Sequence, residues 1–324
     1  MGKALPIILI TLSAVSMAAI GICYFCYKLT FKRSKSEVEI LAPIKGIEHD
    51  RLVSFMSPLV EELSAAPCEE IRIASHDGLS LYARYYHSFD GAPIEIQMHG
   101  YRGRAFRDFC GGARDARARG HNLILVDQRA HGKSEGRAIS FGINERLDCI
   151  SWINYAIRRF GEESKIILIG ISMGAATVLM ASELGLPDNV KCIMADCPFS
   201  SPKDVISSVI RDMKLPPKLA YPFVRLGGII FGGFDIEAAS AKEAVKSSNV
   251  PTLIIHGELD TLVPCYMSRE IYSNCKMKLR RLVTFENSEH GISYLLNKDE
   301  YLGAVTSFMN EALASGDTER KDNG

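Results

Sequence analysis

The sequence predicts an α/β fold: a mostly parallel central sheet with helices on both faces, a helical insertion late in the chain, and an N-terminal transmembrane helix. Three observations predict it. Short, mostly apolar strand-like segments at 94–98, 122–126, 166–169, 190–195, 252–256 and 281–285 alternate with helix-length segments, the pattern of strands covered on both faces. Gly170-Ile171-Ser172-Met173-Gly174 joins one such run to a helical stretch and puts a serine at the turn. Residues 4–27 carry no charged side chain, and a spanning helix needs about 20 apolar residues.

Taken in order, residues 1–30 read as a membrane anchor. A cleaved signal peptide is the rival, with Ser16-Met17-Ala18 imitating a cleavage site inside the run, and a buried helix is the third reading. Lys3 precedes the span while Lys28, Lys32, Arg33 and Lys35 follow it. That bias favours a single pass through the cell membrane with a cytoplasmic C-terminal domain. Residues 31–66 form a polar, then amphipathic, partly helical connector. The domain at 67–314 opens with strands at 69–75 and 79–87, joined through the hairpin signal Asp77-Gly78. Helices are expected at 106–119 and 144–159, between strands. Residues 200–248 break the alternation with four prolines, two glycine pairs and a crowd of apolar side chains. They read as a helical cap over the strand ends, the rival being extra packed helices without a substrate role. Helices near 268–274 and 299–313 complete the domain, and 315–324 reads as a disordered tail.

Composition narrows the function. The 324 residues are 47% hydrophobic, enough for one large core. Lys+Arg and Asp+Glu are both 38, and no basic patch with interleaved aromatics suggests a nucleic-acid partner. Nine dispersed cysteines read as free thiols, in keeping with a cytoplasmic domain. Cys23-Tyr24-Phe25-Cys26 has the spacing of a metal pair but falls in the span, so no metal or cofactor is expected. Oligomeric state is not legible.

The serine turn points to nucleophilic chemistry, the rival being a tight structural turn. Glycines two before and two after Ser172 allow a sharp strand-to-helix bend, and the hydroxyl then stands at the positive end of a helix. Such a serine needs a base and an orienting carboxylate. His290 follows the last strand and Asp260 the one before it, so both should reach the same rim. Glu258 and Asp196 are the rival acids and read as loop-capping carboxylates. Backbone N–H groups of Met173 and of Tyr101, in His99-Gly100-Tyr101-Arg102-Gly103, are the expected oxyanion donors. His99 and His131 read as structural, Arg102 as a solvated loop arginine, and Asp127, Arg129 and Ser134 as satisfying the backbone of their own loop.

His99-Gly100, Asp127-x-Arg129-x-x-Gly132-x-Ser134, Gly170-x-Ser172-x-Gly174, His256-Gly257-x-x-Asp260-x-x-Val263-Pro264 and His290 occur in the order of the α/β-hydrolase superfamily. The chain resembles that superfamily from about Cys68 to Met309, most closely its bacterial membrane-anchored serine aminopeptidase-like and monoglyceride-lipase-like members. The resemblance implies Ser172 as nucleophile, Asp260 as acid and His290 as base. The Gly-Gly-rich oxyanion motif of some esterases is absent, which argues against tertiary-alcohol esters. The expected activity is hydrolysis of a carboxylic ester or related acyl compound, with lipid-derived substrates suggested by the apolar cap and the anchor. A serine peptidase is the near alternative; binding a free amine would call for a cap carboxylate such as Asp204, Asp212, Asp235 or Glu237. A non-catalytic binding module is the alternative from another class.

Overall fold

The computed structural model describes residues 4–33 and 47–321. Eight strands form one sheet in the order β1-β2-β4-β3-β5-β6-β7-β8. In chain order they are β1 (Glu69–Ala74), β2 (Ser80–Tyr86), β3 (Ile94–Met98), β4 (Asn122–Asp127), β5 (Ile166–Ile171), β6 (Val190–Asp196), β7 (Thr252–Gly257) and β8 (Arg280–Phe285). β2 runs antiparallel to both β1 and β4, and every other pairing is parallel. The first two strands meet across Ser75–Leu79, where Gly78 takes φ 86° and the Ser75 hydroxyl ties to Asp77. Strands β3, β4 and β7 are buried at every position, as strands covered on both faces must be.

The helices are α1 (Ala4–Thr30), α2 (Ile47–Ala65), α3 (Ala105–Asp108), α4 (Cys110–Ala118), α5 (Glu145–Phe160), α6 (Met173–Ala181), α7 (Pro202–Asp212), α8 (Pro217–Gly227), α9 (Ala241–Ala244), α10 (Tyr266–Asn274), α11 (Ser293–Leu296) and α12 (Lys298–Lys321). Trp152 of α5 and the whole of α6 lie fully buried against the sheet. Phe308 and Met309 of α12 close the other side over Ile167, Leu253 and Ile255.

Two local expectations change. The segment expected as one helix at 106–119 is α3 and α4, broken at Phe109, whose backbone leaves the helical region at φ −112°, ψ 13°. The tail expected to be disordered from Ser315 continues α12 to Lys321, and 322–324 lie outside the described residues. The connector contains α2, whose Leu63 and Leu59 pack on the domain, while residues 34–46 lie outside the described residues.

The insertion between β6 and β7 holds α7, α8, a π-turn at Gly228–Gly232 and α9. Ser201 caps α7 by accepting the Asp204 N–H, and Pro202 sits in the first turn where no N–H is needed.

α1 packs on the domain. Its last turns pack on α8 and the π-turn. A side chain at Gly227 would lie 2.5 Å from the Cys23 carbonyl, so only glycine admits this close a crossing. Phe31, just past the helix, is fully buried, edge-on to Phe141 at 5.9 Å and to Phe234 at 5.2 Å. Arg33 donates to the Gly132 and Ser134 carbonyls.

Candidate active site

The candidate residues gather at the C-terminal ends of the parallel strands, where open α/β sheets place ligands. Ser172 follows β5 with φ 54° and ψ −113°, a conformation L-residues rarely adopt. Two neighbours make that bend possible. A Cβ at Gly170 would stand 2.3 Å from the Gly174 carbonyl, and one at Gly174 would stand 1.9 Å from the Met98 carbonyl. The Ser172 N–H donates to the Asp196 carbonyl, fixing the turn to the end of β6.

Ser172 Oγ lies 2.9 Å from His290 Nε2, and His290 Nδ1 lies 2.6 Å from Asp260 Oδ2. A carboxylate only accepts, so Nδ1 carries the ring proton and Nε2 faces the serine hydroxyl as an acceptor. Asp260 Oδ1 takes the N–H groups of Leu262 and Val263 at 3.0 and 2.8 Å. Burial would raise the Asp260 pKa, but hydrogen bonds from His256, His290 and Val263 outweigh it and hold it down at about 2. The acid therefore stays ionised at neutral pH.

The rival acids are otherwise engaged. Glu258 pairs with Arg269. Asp196 Oδ2 accepts the Tyr301 hydroxyl at 3.0 Å, while its Oδ1 is buried without a hydrogen-bond partner. Burial pushes its pKa up to about 6, against the lowering effect of Tyr301.

The loop after β3 accounts for its backbone in a telling way. Gly100 N–H donates to Asp108 Oδ2 at 2.9 Å, Arg102 N–H to His131 Nε2 at 3.0 Å, and Gly103 N–H to the Gly100 carbonyl. The Tyr101 N–H is not among these bonds. Met173 N–H belongs to the first residue of α6, which has no intrahelical acceptor. Asp108 leaves no room for a side chain at Gly103, where a Cβ would come within 2.2 Å of Oδ2.

His99 is fully buried, donating from Nδ1 to the Gly100 carbonyl and accepting the Gln128 N–H at Nε2. His131 accepts from Arg102 and donates from Nδ1 to the Arg129 carbonyl; burial and the neighbouring His99 keep its pKa well below the usual imidazole value. Arg102 is not the solvated arginine expected. Its Nη2 donates to the Leu29 carbonyl at 2.8 Å, and the Tyr101 hydroxyl donates to the Thr30 carbonyl at 2.8 Å. The free carbonyls at the end of α1 thus find donors on the loop beside the serine. Asp127 and Ser134 do satisfy their own loop, through Lys133 N–H and the Asp127 carbonyl. Arg129 turns away and chelates Asp77 and Asp148 instead.

Sequence reasoning gave no role to His256, Asp108 or Tyr301. His256 is fully buried, its Nε2 bonded to the Val263 carbonyl at 2.7 Å and 3.2 Å from Asp260 Oδ2. It stands in the motif that carries Asp260, and that adjacency was the available signal. Asp108 had none.

Among the described residues, two clusters bring metal-type ligands together: Cys197 with Asp260 and His290, and His76 with Asp77 and Asp148. In the first, Asp260 and His290 bond each other, and burial pushes the Cys197 thiol well above its usual value. In the second, Arg129 occupies both carboxylates. Neither donor set is arranged to accept a cation. All nine cysteines are free thiols.

Comparison with known proteins bears on the fold and its family. A family model described as alpha/beta hydrolase fold matches residues 98–229, and one described as serine hydrolase (FSH1) matches 167–292. The Bacillus subtilis (strain 168) protein YqkD, itself uncharacterised, is 27% identical over 191 residues, covering 59% of this chain and 62% of its own length. A Saccharomyces cerevisiae protein named as an uncharacterised membrane protein, YNL320W, is 23% identical, covering 59% and 62%. The chain thus spans about three fifths of the length of these relatives. The structure of the Pyrococcus furiosus esterase Pf2001 superposes with a TM-score of 0.63 at 25% identity, covering 78% of this chain and 93% of the esterase.

Proposed function

We propose that this chain, which belongs to the α/β-hydrolase superfamily, is a membrane-anchored serine hydrolase that cleaves carboxylic esters through an acyl-enzyme on Ser172. The single observation that carries this reading is the continuous run from Asp260 through His290 to Ser172 Oγ, with hydrogen bonds of 2.6 and 2.9 Å.

The sequence of steps follows from that geometry. His290 Nε2 takes the Ser172 proton as Oγ bonds to the substrate carbonyl carbon. The carbonyl oxygen becomes an oxyanion, held by the Tyr101 and Met173 N–H groups. Asp260, ionised, stabilises the imidazolium that forms. The proton on Nε2 passes to the departing alkoxide, and the C–O bond to it breaks. Water, deprotonated by the same nitrogen, then attacks the acyl-enzyme and releases the acid and Ser172.

Ester chemistry is favoured over an amine-binding peptidase by the state of the cap carboxylates. Asp204 accepts from Ser200, Ser201 and Lys242, and Asp235 and Glu237 both pair with Arg225. Asp212 lies exposed at the end of α7. For the anchor, α1 is a helix long and apolar enough to cross a membrane, and the basic residues at and after its end favour a cytoplasmic catalytic domain.

The test is labelling of the full-length protein with a fluorophosphonate, beside turnover of p-nitrophenyl esters of increasing acyl length. Both should vanish in Ser172→Ala, a loss of at least ~10³-fold in kcat. A folded wild-type protein that neither labels nor turns over any ester would overturn the reading.

A further inference from the structure

The cap helix α8 has two apolar faces where its packing needs one. Tyr221, Val224 and Gly227 are buried against the domain and α1. On the opposite side Leu219 (69% exposed), Pro222 and Leu226 (45%) lie three and four residues apart, one stripe of a 3.6-residue helix. Leu215 before the helix and Ile229 and Ile230 after it are exposed as well and lengthen the apolar patch. Lys214 and Lys218 are exposed beside it. Scattered single apolar side chains need no explanation, but a continuous stripe does.

α1 indicates what meets the stripe. The hydrocarbon core of a bilayer takes about 20 helical residues at 1.5 Å each. Counted from the first helical residue, Ala4, that length ends near Cys23. Tyr24, Lys28 and Lys32, all exposed, then fall at the interface, the level that aromatic and basic side chains prefer. Cys23 and Tyr27 are also where α8 crosses α1, at Gly227. Phe231 of the π-turn stacks edge-on to Tyr24 at 5.1 Å. The end of α8 is thereby held at the depth where hydrocarbon gives way to headgroups.

We propose that the exposed stripe of α8, with Leu215, Ile229 and Ile230, is seated in the bilayer interface next to the anchor, so that the cap lies on the lipid surface. Lys214 and Lys218 reach the headgroups alongside it. The catalytic site then draws its substrates from the membrane plane. This rests on the reading of α1 as a spanning helix, and its test does not depend on catalysis.

The full-length protein is reconstituted in phosphatidylcholine vesicles with and without doxyl-labelled lipid, as Leu219→Trp and, separately, Leu226→Trp. Trp152, the one native tryptophan, is fully buried and supplies a constant background. Phe89→Trp, at an exposed position in the β2–β3 connection on the opposite end of the sheet, is the control. Both cap variants should emit to the blue of the control and lose roughly half of the added emission to doxyl lipid, as for side chains ~5–10 Å into the headgroup–acyl boundary. Quenching no greater than that of Phe89→Trp overturns the proposal. Shielding from aqueous acrylamide without lipid quenching also overturns it, by assigning the stripe to a second copy of the chain. Release of the protein from vesicles by alkaline carbonate overturns the anchor and this proposal together; retention with unquenched cap variants overturns this proposal alone.

Discussion

Replacing Phe31 by alanine should weaken the whole catalytic domain, although Phe31 lies in what the sequence presents as the edge of a membrane anchor. The side chain is fully buried, with the Phe141 ring at 5.9 Å and the Phe234 ring at 5.2 Å, both edge-on. Phe141 in turn stacks on Tyr101 at 4.9 Å, in the loop that carries the proposed oxyanion donor. Truncating a phenylalanine buried this completely costs about 3–5 kcal/mol. At ~2–4 °C per kcal/mol for a domain of this size, the melting temperature should fall by roughly 6–20 °C. The assay is thermal denaturation of full-length protein in lipid nanodiscs, followed by near-UV circular dichroism. Fluorophosphonate labelling below the transition reports on the Tyr101 loop, and it should slow because Phe141 loses its backing. A melting temperature within a degree or two of wild type would refute the reasoning, since it would mean that the end of α1 does not pack on the domain.

Four further outcomes are expected. Asp260→Asn should lower kcat by ~10⁴-fold by leaving the His290 ring in the wrong tautomer, checked by steady-state ester hydrolysis with the structure verified by circular dichroism. The same carboxyl has a folded pKa of about 2 against an ordinary 3.8, so its contribution of about 2 kcal/mol is present above pH ~4 and lost as pH falls towards 2; urea titrations across that window should show the slope in wild type and not in the asparagine variant. Asp196 shifts the other way, from 3.8 up to about 6. Its contribution is full below pH ~3.8 and lost as pH rises through ~6, so Asp196→Asn, which still accepts from Tyr301, should raise stability at pH 7 by at most about 3 kcal/mol, and an unchanged pH–stability curve would refute this. Gly174→Ala should yield no folded protein or one without fluorophosphonate reactivity, because its Cβ would press 1.9 Å from the Met98 carbonyl; a variant that labels like wild type would show that β3 can move aside.

The sheet was legible from the chain wherever strands are buried on both faces, because burial forces near-continuous apolar runs such as Ile166–Ile171. The break at Phe109 was not, since the helix-weakening pair Gly111-Gly112 lies inside α4 and not at the break, so only packing decides where the backbone turns. Of the candidate site, Ser172, Asp260 and His290 could be named because each sits in a local pattern set by strand ends and glycines. Their support could not. Asp108 reaches Gly100 N–H from a helix with no distinguishing pattern, and Asp196 reveals its unpartnered oxygen only once Tyr301 and the sheet surround it.

The sequence by itself determined the alternation of strand and helix, the order serine–acid–histidine, and the apolar length at the N-terminus, since periodicity, glycine and hydropathy are properties of neighbours along the chain. Only the tertiary structure decided that Thr30 and Leu29 offer their carbonyls to Tyr101 and Arg102, that Gly227 lets α8 meet α1, and that Leu219 and Leu226 stay outside while Tyr221 and Val224 go in. The physical reason is that each of these contacts joins segments some 70 to 200 residues apart or chooses between two apolar faces of one helix, and neither choice leaves a mark in local composition.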